Sequence, residues 1–265
     1  MTEKEYRDHP AISHSGLLKI AESPEKFNYY KEHPEPPTPS LLFGQLFHQM
    51  ALQPELLDDR FAVSPNVDRR SKEGKKIYGE FLKQAKQKTV VDSDLVKQSS
   101  EMCGSLKKNN FCEKLLSGKK EIPFFWTDEM TGEECKCRVD CLSDVGEKSI
   151  IVDLKTCESA ETEAFTRAAV KHGYDVQTAM YIEGVKTNTG NEPLFVFIAI
   201  EKKAPYAINI LQADELFIRR GYDLFREYIG IYSECKKTGV WWGYLGRYNQ
   251  INNLALPSYL AKEIE

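Results

Sequence analysis

Apolar positions recur at helical spacing through the first third of the chain and at strand spacing beyond it. Leu17, Leu18 and Ile20 follow Ser15, which reads as an N-cap because its hydroxyl can accept an orphan backbone N–H. Ser23-Pro24 opens a second helix through Tyr29 and Tyr30, since proline is tolerated in a first turn where its N–H would be unpaired anyway. Pro34, Pro36, Pro37 and Pro39 then impose an extended connection. Ser40 begins a helix carrying Leu41, Leu42, Leu46, Phe47 and Met50 that stops near Pro54. Past Pro65, two charged stretches, 71–88 and 93–116, keep helical character.

The period changes at Lys119. Ile122, Phe124 and Trp126 alternate with other residues, Met130-Thr131-Gly132-Glu133 makes a turn, and alternation resumes over 135–145, which predicts a hairpin. A third strand is expected over 149–155. Helices over 160–171 and 175–187, strands over 194–200 and 206–211, and a long helix over 214–237 follow. That order predicts an α/β core with helical additions. The chain reads as one domain, 1–265: a mainly helical part (1–118), a core (119–238) and a C-terminal tail (239–265).

Composition changes this picture little. With 265 residues, 41% of them apolar, the chain can bury a sizeable core. No apolar run approaches the ~20 residues of a membrane span, and residues 1–10 lack a signal peptide's apolar stretch, so a soluble cytoplasmic protein is expected. The 7 cysteines are an odd number with no disulfide-framework spacing. A net charge of −4 is silent about nucleic acid, because a local basic groove can coexist with an acidic exterior.

Strand alternation brings out candidate chemistry. Over 135–142, Cys135, Cys137, Val139 and Cys141 are expected on one face, and Lys136, Arg138 and Asp140 on the other. In the next strand Val152 and Leu154 point one way, Asp153 and Lys155 the other. If Asp140 and Asp153 share a side, two carboxylates converge beside a lysine. Carboxylate oxygens are the ligands Mg²⁺ prefers; a bound cation acidifies water and offsets charge on a phosphate. Alone, the first strand reads sooner as an amphipathic edge strand with solvated charges, and the second as a simple Asp153–Lys155 pair, since Asp-x-Lys occurs often by chance. Gly44 and His48 share a helix face at i, i+4, as do Gln177 and Tyr181. By themselves these read sooner as a core histidine and a polar cap on a packed helix than as a metal ligand and a phosphate contact.

Taken in order, Gly44…His48, Asp140, Asp153-Leu154-Lys155 and Gln177…Tyr181 resemble the RecB-like branch of the PD-(D/E)xK nuclease superfamily. More narrowly, 11–17 with Ser23-Pro24, 135–140, Phe195-Val196-Phe197 and 254–259 are similar to RecE-type exonucleases (exonuclease VIII). The resemblance implies a PD-(D/E)xK restriction-endonuclease-like core, a mixed central sheet flanked by helices, behind an N-terminal helical extension. It implies a double-strand DNA exonuclease that digests the 5′-ended strand and leaves a 3′ single-stranded tail. Linear double-stranded DNA, a homotetrameric ring and a single-strand annealing protein in a bacterial or phage-infected cell are the implied partners. The competing readings are a RecB-like endonuclease, a nuclease subunit of a larger repair complex, or an inactive DNA-binding module; every acidic ligand and the lysine are retained here.

By the same resemblance His48, Asp140, Asp153 and the Leu154 carbonyl would hold Mg²⁺, with Mn²⁺ as the alternative. Lys155 would act on the attacking water, with Gln177 in support and Tyr181 nearby. Ser13, Ser15 and Arg138 are implied phosphate contacts, and Arg69, Arg70, Lys72, Lys75 and Lys76 candidates to line a DNA channel. No iron–sulfur cluster is expected, since related cluster-bearing nucleases carry a late cysteine trio and only Cys235 lies late here. No nucleotide is expected either, since the chain has no Gly-x-x-x-x-Gly-Lys loop.

Overall fold

The computed structural model describes residues 1, 3–146, 148–248 and 251–256. Helices α1 (Glu3–Asp8), α2 (His14–Glu22), α3 (Pro24–Glu32) and α4 (Pro39–Leu52) lead to a short 3-10 turn (Pro54–Leu56) and α5 (Leu57–Arg60). Next come β1 (Phe61–Val63), α6 (Lys72–Ala85), β2 (Thr89–Val91), α7 (Ser93–Lys108) and α8 (Asn110–Leu115). The second half holds β3 (Lys119–Thr127), β4 (Glu134–Val145), β5 (Lys148–Cys157), α9 (Thr162–Lys171), α10 (Tyr174–Thr189), β6 (Leu194–Glu201), β7 (Ile208–Gln212) and α11 (Glu215–Thr238).

The main sheet has the order β3-β4-β5-β6-β7. All its pairings are antiparallel except β5 with β6, which are parallel and joined through α9 and α10. Crossover helices require both faces of such a sheet to be covered. Accordingly β6 is buried on both sides: Phe195, Phe197 and Ala199 pack with α2, α9, α10 and α11, while Val196, Ile198 and Ile200 pack with α4, α7 and α8. The fold is a mixed α/β core, a five-stranded sheet covered by helices on both faces.

Several local expectations shift. Ser13, not Ser15, caps α2: its backbone is extended and its Oγ accepts the Gly16 N–H. Thr38 rather than Ser40 caps α4, with Pro39 in the first turn. The parallel pair β1–β2 was not foreseen, because three-residue strands pairing across a helix leave no periodic signal. The expected face of Cys141 is also corrected. Cys135, Cys137 and Val139 sit in the core under α10, but Cys141 sits in the opposite core under α4 and α7. Alternation slips at Asp140, where the β3–β4 ladder skips from Lys120↔Cys141 to Ile122↔Val139. The unpaired residue opposite, Glu121, has φ 50, a left-handed conformation that side chains seldom adopt. The cysteine trio is thus divided between two cores. Of the tail similarity, 257–259 lie outside the described residues.

Candidate active site

The site is built where β4 and β5 part. They pair from Val145↔Lys148 to Cys141↔Val152, and the ladder stops just before Asp140 and Asp153. In the gap the Leu154 peptide lacks a strand partner on the β4 side, and side chains replace it. Asp140 Oδ2 accepts the Leu154 N–H at 2.8 Å, and His48 Nε2, one turn beyond Gly44 on α4, donates to the Leu154 carbonyl at 2.5 Å. Residue 12 covers the edge of β4 that β5 has left: Ile12 donates to Glu134 O and accepts from Lys136 N, both at 2.8 Å. That stitch delivers Ser13, His14 and Ser15 to the same cleft.

Asp153 and Lys155 lie on the α10 side of β5, as alternation predicts. Gln177 Nε2 donates to Asp153 Oδ1 at 2.5 Å, and Lys155 Nζ donates to Gln177 Oε1 at 3.0 Å. Lys155 Nζ stands 2.7 Å from Asp153 Oδ2, an ion-pair distance, yet that oxygen is buried without an aligned hydrogen bond. Burial, reinforced by the nearby charge of Asp140, raises the Asp153 carboxyl to about 6 despite the opposing pull of Lys155. Burial works against the Lys155 ammonium, but the charges of Asp153, Tyr174 and Asp140 outweigh it and its pKa is raised. Lys155 is therefore a cationic donor. Tyr181, four residues after Gln177, lines the cleft and packs its ring on Phe195; burial keeps its phenol protonated.

Two contacts were not anticipated. The ring of Tyr174 lies under Lys155 Nζ, 4.5 Å from its centroid. It is three residues before Gln177 on α10, a spacing that shares a helix face and could have flagged it. Glu121 places its carboxylate with His48 and Asp140 so that one ligand atom from each lies within 4.8 Å of the others. The observed register, counted back along the hairpin from Thr127↔Glu134, brings Glu121 opposite Asp140; the predicted turn did not fix that register.

The donor set suits a hard divalent cation: oxygens and one imidazole converge, while Cys135, Cys137 and Cys141 are buried in the cores. A carbonyl only accepts, so His48 Nε2 carries its proton. Nδ1 stands 3.4 Å from Asp140 Oδ2, and with Glu121 these atoms line one hollow.

The cleft encloses about 1110 Å³, and Arg7, Arg60, Lys136, Arg138, Lys155 and Lys202 contribute its basic lining. Arg138 holds Glu121, Nε to Oε2, at 2.8 Å. Ser13 Oγ is 3.1 Å from Ser15 Oγ at the mouth. Arg69, Arg70, Lys72, Lys75 and Lys76 are not brought to the cleft: Arg69 pairs with Asp92 and lies over Tyr78, beside the small β1–β2 sheet.

Residues 13–253 match the family described as a PDDEXK-like domain of unknown function (DUF3799). No curated protein matches the sequence. Among solved structures, one described as "Putative exonuclease" from Eubacterium rectale aligns over 97% of this chain and 96% of its own, with a TM-score of 0.64 and 18% identity. A second, SSO0001, aligns over 86% of this chain and 81% of its own at 15% identity, but its TM-score of 0.39 carries no argument. At such identities the likeness is one of fold.

Proposed function

The chain belongs to the PDDEXK-like family that its residues 13–253 match, and we propose that it is a metal-dependent exonuclease of linear double-stranded DNA. In this reading it digests the 5′-ended strand and leaves a 3′ single-stranded tail. One observation carries the proposal: His48, Asp140, the Leu154 carbonyl, Asp153, Lys155 and Gln177 converge at the gap between β4 and β5, in one cleft.

His48, Asp140, Asp153 and the Leu154 carbonyl are the groups that would hold Mg²⁺ or Mn²⁺. Such an ion supplies an acidified water and offsets charge on the phosphate. The chain's own groups do the remainder. Lys155, held as an ammonium, donates to the attacking water or to a phosphoryl oxygen, adding positive potential where negative charge develops. Gln177 ties Lys155 to Asp153, so the two keep one relative position through turnover. Arg138 and the hydroxyls of Ser13 and Ser15 line the cleft and would receive backbone phosphates. The 5′ polarity, the tetrameric ring threading DNA and a single-strand annealing partner are supported by the sequence resemblance.

Digestion of linear duplex labelled separately at its 5′ and 3′ ends, with and without Mg²⁺, tests this reading, with a closed circle as a second substrate. Early release of the 5′ label, dependence on the cation and intact circles are expected. Cleavage of circles would make the protein an endonuclease, and early release of the 3′ label would reverse the polarity.

A further inference from the structure

We propose that Glu121 is a divalent-cation ligand of this cleft, acting with His48 and Asp140 in addition to the groups on β5. The inference rests on the metal-dependent reading above and adds to it a residue that the sequence resemblance does not include.

Three independent features of Glu121 point the same way. Its carboxylate is only 15% exposed and lies within 4.8 Å of ligand atoms of both His48 and Asp140. Ligands of one hard cation at bond lengths of about 2.0–2.6 Å are separated by such distances. Its backbone is held at φ 50, in a region where a non-glycine residue is strained. A glycine would adopt this conformation without strain. Finally, Arg138 fixes the carboxylate from one side at 2.8 Å. A ligand oxygen oriented by an outer hydrogen bond is the arrangement by which metal sites hold their donors in place.

Electrostatics adds a reason for an ion. Asp140 and Glu121 are two acids in one partly buried space. His48 Nδ1 lines the same hollow. A cation at that point meets three acceptors and removes the repulsion between the acids.

The test is Mn²⁺ binding to the full chain without DNA, read from the loss of the free-Mn²⁺ electron paramagnetic resonance signal. Wild type is compared with Glu121→Gln, Glu121→Gly and Asp140→Asn, with thermal midpoints as a check on folding. Glycine adopts φ 50 freely, so Glu121→Gly should stay folded even if Glu121→Gln does not. Both Glu121 variants are expected to weaken Mn²⁺ binding at least about tenfold, as Asp140→Asn does. Wild-type affinity in folded Glu121 variants, with binding lost in Asp140→Asn, would overturn the role of Glu121 and leave the metal-dependent reading intact. Absence of Mn²⁺ binding by wild type, or binding unaltered in Asp140→Asn, would overturn both.

Discussion

Asp140 accepts the backbone N–H of Leu154 at 2.8 Å, so a carboxylate occupies the place of a β-ladder acceptor where β4 and β5 separate. The same oxygen lies 3.4 Å from His48 Nδ1. Structure and proposed chemistry therefore meet in one side chain, and substitutions can separate them. Asparagine still offers an oxygen to Leu154 but carries no charge.

Asp140→Asn should accordingly stay folded, with a thermal midpoint near wild type, while its rate of duplex digestion falls by about 10²–10³-fold or more. Asp140→Ala should lose both. Lys155→Ala should lose the rate alone, with affinity for linear duplex in Ca²⁺ little changed. Undiminished hydrolysis by Asp140→Ala or Lys155→Ala would place the site elsewhere.

Tyr174 offers its ring face to Lys155 Nζ at 4.5 Å and is itself stacked on Phe197. A partly desolvated cation–π contact is worth about 1–2 kcal/mol, roughly tenfold in rate. Tyr174→Phe should keep kcat, whereas Tyr174→Leu should lower it about tenfold with KM unchanged. Equal losses in the two variants would assign the effect to the hydroxyl.

Two glycines should respond in opposite ways. A Cβ on Gly221 in α11 would fall 1.9 Å from the Asp175 carbonyl oxygen. Gly221→Ala should therefore cost about 1–3 kcal/mol or more and lower the thermal midpoint. A Cβ on Gly44 meets nothing within 4 Å, and Gly44 lines the cleft one helical turn from His48. Gly44→Ala should stabilise α4 by about 0.5–1 kcal/mol. Gly44→Leu, projecting into the space that DNA would occupy, should weaken duplex binding without lowering the midpoint.

His14 governs part of the acid limb of stability. Burial lowers its pKa to about 4, against the favourable bond from Nε2 to the Gly173 carbonyl. The unfolded chain binds this proton near 6.5, the folded chain only near 4, so protons favour unfolding between those values. Stability is full above about pH 6.5 and is lost as the pH falls toward 4. Allowing for partial exposure of the ring, the loss is about 1–2 kcal/mol. Asp153, raised to about 6, acts in the opposite sense and loses stability as the pH rises through that value. The difference between wild type and His14→Gln isolates the histidine: the variant's thermal midpoint should fall less steeply from pH 6.5 to 4. Parallel slopes would remove His14 from the account.

Whatever depends on neighbours along the chain was legible in the residues alone. Period-two alternation identified β3, β4 and β5 and put Asp153 and Lys155 on one face, because side-chain direction in a strand follows from residue number alone. Helical spacing paired Gly44 with His48 and Gln177 with Tyr181, and the order of these motifs indicated the fold. What only the tertiary structure decided depends on where the pattern breaks. The slip at Asp140 sends Cys141 to the opposite core, and the parting of β4 from β5 turns Asp140 and His48 onto the Leu154 peptide. Glu121 and Tyr174 became visible as neighbours of the site only when the hairpin register and the seat of α10 were known. Arg69 and its basic neighbours, conspicuous as a run of charge, fold beside a small sheet outside the cleft. Periodicity encodes the regular elements; the interruptions that make the cleft arise from packing between distant segments, which no local period records.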